Sequence, residues 1–167
     1  NHRKLLIIDD EITYIGSSNI TDYNLIWRES VLRLYGDISL RFKKVFLKDY
    51  DLYNKYIRYK RSFTRGIRYG NCEILRDVPS ITRQKIKKRH EYLIRNAVKE
   101  IIIESPYFLP GFFLRKELMD AANRGVEVKV IIPQHSDVRL VNILHGRYLE
   151  MLHNNNTVLF QYTGFTD

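Results

Sequence analysis

The pattern of apolar and polar positions divides the chain into a first part with short runs and a second part with a longer alternation. Three runs of β-branched and aromatic residues predict strands, at residues 4–9, 12–16 and 30–35. Asp10 and Glu11 separate the first two runs, which predicts a hairpin. From 37 to about 59 the apolar residues follow a helical period, and Asp37 is suited to cap that helix. The basic stretch from 58 to 70 has no clear period and is predicted to contain a linker.

Strands and helices alternate in the remainder of the chain. Strands are predicted near residues 71–76, 100–104, 126–132 and 157–161. Helices are predicted at about 80–98, 112–124 and 137–153. Gly125 is expected to end the second of these helices as a C-terminal cap. Because alternating strands and helices stack in layers, the pattern indicates an α/β fold with a largely parallel sheet.

The composition is that of a globular chain with a preference for phosphate-bearing partners. Of the 167 residues, 44% are hydrophobic, which argues against disorder. The 28 Lys and Arg residues outnumber the 19 Asp and Glu residues and give a net charge of +9. This bias favours nucleic acid or anionic lipid as a partner. The single cysteine, Cys72, excludes an internal disulfide and is expected to be buried as a small hydrophobe.

The sequence contains neither a signal-peptide pattern nor an apolar run of the roughly 18 to 20 residues that a membrane-spanning helix needs. The chain begins without Met and stops after residues 162–167 without an evident terminal element. We therefore expect it to be a piece of a longer protein.

The polar residues that flank the first hairpin are predicted to form a site. Alternate side chains of a strand share a face, so His2 and Lys4 point the same way, and Ser17 and Asn19 do so on the return strand. A two-residue turn would place Lys4 opposite Ser17 and His2 opposite Asn19. Asp9 has the other parity and is expected to face away from His2 and to bond the backbone of the turn.

Such a group of side chains suits an anion that must also react. A lysine and two neutral donors can hold phosphoryl oxygens, and a histidine supplies an unprotonated nitrogen. The sequence therefore indicates phosphodiester chemistry.

These residues also carry a family resemblance. His2-x-Lys4, Asp9 and Gly16-Ser17-x-Asn19 resemble, in order and spacing, the H-x-K-x-x-x-x-D and G-S-x-N signature of the phospholipase D superfamily. The resemblance implies a mixed sheet flanked by helices, in two similar lobes that each carry one such motif. It implies no metal and no other cofactor. The implied catalytic residues are His2, Lys4, Asp9 and Glu29, and the implied substrate-binding residues are Lys4, Ser17 and Asn19. Glu29 would hold the tautomer of His2, or else form an ordinary ion pair with Arg28 or another base.

Later segments are similar to bacterial cardiolipin synthases. The similar segments are 27–29, 103–110 and 125–133. The chain carries one motif only. The other histidines are His90, His135, His145 and His153, and none of them has a lysine two residues further on. We therefore expect residues 1–60 to be the C-terminal half of a first lobe, 61–70 a linker, and 71–167 the N-terminal half of a second lobe.

The resemblance implies a parent enzyme of the bacterial cell membrane that joins two phosphatidylglycerol molecules into cardiolipin through a phosphohistidine. The implied partners are phosphatidylglycerol, an anionic membrane surface and a second motif from the missing downstream part of the parent chain, and nucleic acid is not expected. Alone, the chain is expected to be inactive. A hydrolytic phospholipase, a superfamily nuclease completed by dimerisation and a non-catalytic lipid-binding piece stay open as alternatives. The group that accepts the phosphatidyl group, and whether His2 is the nucleophile or the general acid, also stay open.

Overall fold

The computed structural model describes residues 3–21, 29–54, 66–77, 84–136, 138, 141–144, 150 and 157–162. The chain forms two compact units, residues 1–83 and 84–167. Each unit has its own sheet and its own buried core. The predicted class, a mixed α/β fold with a sheet flanked by helices, is confirmed.

The first unit contains a three-stranded antiparallel sheet, a helix and a small hairpin. The sheet has the order β1-β2-β3, and its strands are β1 (Leu5–Ile8), β2 (Ile12–Gly16) and β3 (Val31–Tyr35). Helix α1 follows at Ile38–Asn54. The hairpin consists of β4 (Ile67–Tyr69) and β5 (Cys72–Ile74). The three strands predicted in the first 35 residues are confirmed, and so is the helix that follows them, as far as Asn54.

One face of the first sheet packs against α1. Residues directly opposite each other in an antiparallel ladder share a face, so the pairs of the ladder sort the side chains into two sets. The set packed on the helix comprises Leu5, Ile7, Ile15 and Leu34. Its partners on α1 are the buried Ile38, Phe42 and Val45, and Ile74 of β5 joins the same core. The apolar residues of the other set, such as Leu6 and Tyr35, remain exposed.

A buried chain of hydroxyl groups joins this sheet to the start of α1. Thr13 Oγ1 donates to Ser39 Oγ at 2.9 Å, and Ser39 Oγ donates to the main-chain oxygen of Glu11, also at 2.9 Å. Both Thr13 and Ser39 are fully buried. Because a buried hydroxyl without a partner is costly, these bonds fix where α1 begins relative to β2.

The loop of the first hairpin differs from the prediction. Ile8 pairs with Ile12, so three residues form the loop rather than two. Asp9 and Asp10 both have positive φ, 51° and 61°, and the amide of Glu11 donates to the main-chain oxygen of Ile8 at 3.1 Å. Aspartate tolerates this left-handed conformation better than most residues, so the chain reverses on the two aspartates and Glu11 is added to the loop.

The extra loop residue shifts the register by one. Leu5 pairs with Ile15, and continuing the ladder by one step places Lys4 opposite Gly16. The prediction that Lys4 lies opposite Ser17 is therefore wrong. The alternation within each strand is unchanged, but a shift by one residue exchanges the faces of one strand relative to the other. Continued past Gly16, the ladder gives Ser17 the parity of Leu5 and Ile15, so the prediction that Lys4 and Ser17 share a face is also wrong.

The second hairpin differs from the sequence-based expectations in three respects. Ile67–Tyr69 lies in the predicted linker but forms β4, because Gly70, with a φ of 53°, and Asn71 turn the chain back onto β5. Strand β5 pairs with β4 in the first unit, although it was expected to start the second lobe. Cys72 is exposed rather than buried, because it sits directly beside the turn of this hairpin. The division into two half-lobes stays a prediction.

The second unit is built on a parallel sheet. Its order is β6-β7-β8, with β6 at Glu100–Glu104, β7 at Glu127–Pro133 and β8 at Thr157–Tyr162. Helix α2 spans Lys85–Arg95 and helix α3 spans Phe112–Asn123. The strands and α3 are confirmed to within about two residues, and the predicted largely parallel sheet is confirmed in this unit.

The core of the second unit explains why these elements form. Val128, Val130 and Ile132 alternate along β7 and are fully buried, and Leu118 of α3 is fully buried against the same cluster. Gly125 has a φ of 88° and its amide donates to the main-chain oxygen of Ala122 at 2.9 Å, which confirms its expected position at the end of α3. Of the helix predicted at 137–153, residues 141–144 and 150 are helical, and most of the remainder lies outside the described residues.

Candidate functional site

The open end of the first sheet, where β1 begins and β2 ends, carries Lys4, Ser17, Asn19 and Glu29. Lys4 precedes β1 and is half-buried, whereas Asp9 lies at the other end of that strand, exposed in the hairpin loop. His2, the residue on which the predicted chemistry depends, lies outside the described residues. Its convergence with Lys4, and the orientation of Asp9 away from it, therefore stay predictions.

Gly16 allows β2 and β3 to approach closely at the site. A Cβ atom on Gly16 would lie 2.3 Å from the main-chain oxygen of Ser30 and 2.8 Å from Cα of Val31. No side chain fits at these distances, so the signature glycine serves a close approach of backbone. A glycine in a strand commonly marks such a close approach.

The close approach brings Ser17 to Glu29. The amide of Ser17 donates to the main-chain oxygen of Ser30 at 3.2 Å, and Ser17 Oγ accepts from the amide of Ser30 at 3.2 Å. Ser17 Oγ also lies 3.4 Å from Oε2 of Glu29, to which it can donate its proton. Two of the predicted site residues, twelve positions apart in the chain, are thus joined directly. Arg28, the other partner considered for Glu29, lies outside the described residues.

Asn19 lies beyond the end of β2 and is exposed. The next residue, Ile20, has a φ of 53° and is 76% exposed. A branched side chain rarely adopts this conformation, so the loop after Asn19 carries local backbone strain of a kind that clusters at functional sites. Whether the amide of Asn19 meets Lys4 stays a prediction.

An ion-pair cluster behind the site was missed by sequence reasoning. Arg3, between the two signature residues His2 and Lys4, forms an ion pair with Asp49 of α1. The nearly fully buried Arg76 lies on the other side of the same carboxylate, at 3.9 Å. The separation of these residues along the chain leaves no local sequence signal for the cluster. The only hint was parity, which turns Arg3 away from its two neighbours.

The second unit contains a largely apolar cleft. The cleft has a volume of about 580 Å³. Its walls come from α2, from β6 and from the loop after β6, and include Leu93, Ile94, Ile103, Phe108 and Leu114. In that loop Phe108 is buried in the core while Tyr107 is 48% exposed. The loop after β6 therefore contributes one aromatic ring to the core and another to the exposed wall of the cleft.

A charged pair in the second unit joins α2 to α3. Arg95 Nε donates to both carboxylate oxygens of Glu117, at 3.0 and 3.1 Å. These hydrogen bonds, with the charge of Arg95, lower the pKa of the Glu117 carboxyl. Glu117 in turn raises the pKa of Arg95, again mainly through the hydrogen bond. The pair is a structural tie between two helices.

Neither a metal-binding group nor a membrane-spanning helix is found among the described residues. In this part of the chain no three or more His, Cys, Asp and Glu side chains are grouped so that they could hold a metal ion. Among the helices that the structure describes, none combines the length and the apolar character needed to cross a membrane.

Known proteins resemble the chain along nearly all of its length. The family model described as "Cardiolipin synthase, PLD-like domain" matches residues 91–166. A protein from Listeria welshimeri named cardiolipin synthase is 33% identical over 97% of the chain, which covers 36% of that relative. Cardiolipin synthases from Listeria monocytogenes and Clostridium perfringens are 32% and 29% identical, also over 97% of the chain, with 36% and 37% of the relatives covered. The chain thus spans little more than a third of the length of the curated relatives it matches.

Proposed function

Because this chain belongs to the phospholipase D superfamily, we propose that it forms part of an enzyme that makes cardiolipin from two phosphatidylglycerol molecules. The observation that carries the proposal is the similarity to cardiolipin synthases over 97% of a chain that opens with the complete signature. The net charge of +9 suits an anionic lipid substrate and an anionic membrane surface, and the parent protein is proposed to act at the bacterial cell membrane. Since the chain covers 36% of its relatives, the second motif is proposed to come from the remainder of the parent chain.

The proposed reaction has two displacements at phosphorus. In the first, a ring nitrogen of one motif histidine forms a bond to phosphorus, the bond from phosphorus to the glycerol oxygen breaks, and the other motif histidine gives its proton to that oxygen. In the second, the same histidine takes a proton from a hydroxyl of another phosphatidylglycerol, whose oxygen displaces the ring nitrogen. Glycerol and cardiolipin are the products, and both histidines return to their starting states. His2 is one of the two.

The other signature residues would stabilise the negative charge that develops on the phosphoryl oxygens. Lys4 and Asn19 are proposed to bind these oxygens, and Ser17 to give a further hydrogen bond. Glu29 is proposed to hold the tautomer of His2. The contact of 3.4 Å between Ser17 and Glu29 supports this assignment because it places the carboxylate beside a signature residue.

The test uses the full-length protein in vesicles that contain labelled phosphatidylglycerol. The expected products are cardiolipin and glycerol, and His2→Ala should abolish them while leaving the melting temperature nearly unchanged. His90→Ala, which removes an exposed histidine of α2, is the matched control and should retain turnover. Acid-labile label on His2 after rapid quenching would identify it as the nucleophile. Phosphatidic acid in place of cardiolipin would show that water is the acceptor, and turnover by His2→Ala would remove His2 from the mechanism.

A further inference from the structure

Arg3 lies between the two signature residues His2 and Lys4, yet its side chain is engaged elsewhere. Its Nη2 donates to the main-chain oxygen of Asp77 at 2.7 Å. Its Nη1 forms an ion pair with Oδ2 of Asp49 on α1. The guanidinium group therefore bridges two separate segments of the first unit. Such a fork of donors is rigid once it is bound at both ends.

Asp49 is a fixed partner for Arg3 because a second arginine holds it. Nη1 of Arg76 lies 3.9 Å from Oδ1 of Asp49, and the side chain of Arg76 is only 3% exposed. A buried cation requires a nearby carboxylate, since removing it from water is otherwise too costly. Asp49 itself is 17% exposed and stands on a helix that packs against the sheet. The carboxylate is thus set in place by the helix and by the buried charge.

The position of Arg3 matters because of where the sheet begins. The ladder that pairs β1 with β2 starts at Leu5, so Lys4 and His2 precede its paired part. Arg3 shares the parity of Leu5 and Ile7, whose side chains pack toward α1, while Lys4 and His2 have the opposite parity. A bound Arg3 therefore restrains the backbone at the start of β1, where Lys4 has the parity that faces away from the helix.

We infer that Arg3 is a positioning residue: Asp49 and the main-chain oxygen of Asp77 hold its guanidinium group, and this anchor sets how His2 and Lys4 project from the sheet. The anchor rests on the contacts of Arg3, and its effect on turnover rests on the proposed function. No role of this kind follows from the signature, in which the residue between His2 and Lys4 is unspecified.

Arg3→Gln in the full-length protein is the direct test. It removes the anchor but leaves Asp49 beside Arg76, so no buried charge loses its partner. We expect kcat for cardiolipin formation to fall about ten- to a hundredfold, since misplacing reacting groups by an ångström has an effect of that order. KM should change by less than about twofold, because the residue does not touch the substrate. Amide exchange at residues 3–8 should become faster.

Two further variants separate positioning from folding. Arg3→Lys should recover part of the lost kcat, because an ammonium group can still pair with Asp49 although it cannot also reach Asp77. Arg68→Gln removes an arginine whose side chain is 81% exposed in the same unit and should leave kcat, KM and exchange at residues 3–8 unchanged.

The outcomes decide the inference and the proposed function separately. Equal kcat in Arg3→Gln and Arg68→Gln would overturn the positioning role. The positioning role would also be overturned if the loss of kcat were proportional to the loss of melting temperature and Arg3→Lys did not restore any kcat. If the unmodified protein makes no cardiolipin, the proposed function fails, and amide exchange then decides the anchor: faster exchange at residues 3–8 in Arg3→Gln supports it and unchanged exchange overturns it.

Discussion

Replacing Gly16 with alanine should destabilise the first unit by about 1–2 kcal/mol. Two effects oppose each other. Alanine restricts the unfolded chain more than glycine does, which stabilises a protein by about 0.4–1 kcal/mol where the backbone is compatible, and the φ of Gly16 is not in the positive range. Against this, the new Cβ would lie 2.3 Å from the main-chain oxygen of Ser30. Ordinary contacts begin near 3.4 Å, so backbone must move by about 1 Å, and overpacking of this kind costs about 1–3 kcal/mol.

The same movement should weaken the site. Strand β3 would be pushed away from the end of β2, and the bonds that join Ser17 to Ser30 and Glu29 would lengthen. In the full-length protein we therefore expect Gly16→Ala to lose more activity than its loss of stability explains.

The assay for Gly16→Ala is urea unfolding followed by the fluorescence of Trp27, the only tryptophan of the chain. Gly66→Ala is the control in the same unit, because the nearest atom to its new Cβ is Cδ2 of Leu75 at 3.6 Å and its φ is not positive. That variant should be neutral or slightly stabilised. The reasoning is refuted if Gly16→Ala proves as stable as Gly66→Ala.

Three further predictions concern the buried hydroxyls, the helix pair and the chain by itself. Ser39→Ala should cost about 1–3 kcal/mol in urea unfolding, because it leaves the Thr13 hydroxyl and the Glu11 main-chain oxygen without this partner; a loss below about half a kcal/mol would contradict it. Because the pKa of Glu117 is lowered in the folded state, the stability it contributes is present above its ordinary value of 4.5 and is lost as the pH falls through the lowered pKa. Glu117→Gln should therefore lower the melting temperature at pH 7 but not at pH 2, and an equal loss at both would exclude the Arg95 pair as the cause. The 167-residue chain alone should form no cardiolipin from phosphatidylglycerol vesicles, since it holds one H-x-K pair, and turnover by a monomer would refute the requirement for two motifs.

The parallel sheet could be predicted closely from the sequence, whereas the register of the first hairpin could not. Strand β6 is found at the predicted residues, because its unbroken Ile101–Ile103 run lies between clear helical patterns. The strands of the first hairpin are equally clear in the sequence. Their apolar pattern repeats every two residues, however, and does not determine the number of residues in the loop. The third loop residue, Glu11, follows from the left-handed conformations of Asp9 and Asp10, which the pattern does not encode.

The site shows the same difference between local and distant information. The signature from His2 to Asn19 is visible because its residues are close in sequence and fixed in spacing. The partner of Glu29 was expected to be His2 or a base, whereas the structure brings Ser17 to it, because Gly16 draws β3 against the end of β2. The partner of Arg3 could not be predicted, because Asp49 lies far along the chain among the polar residues of α1.

The contrast between the two sheets also bears on how fast each unit folds. Ile8 pairs with Ile12 across a short loop, and such hairpins close in about 1–10 μs. Glu100 pairs with Glu127 across a crossover that contains α3, and parallel strands joined over such a distance associate slowly. During that interval the valine and isoleucine side chains of β6 and β7 are open to other chains. Aggregation of the second unit should therefore limit the refolding yield. Cooling or diluting the sample before β6 and β7 have paired should raise that yield more than doing so afterwards.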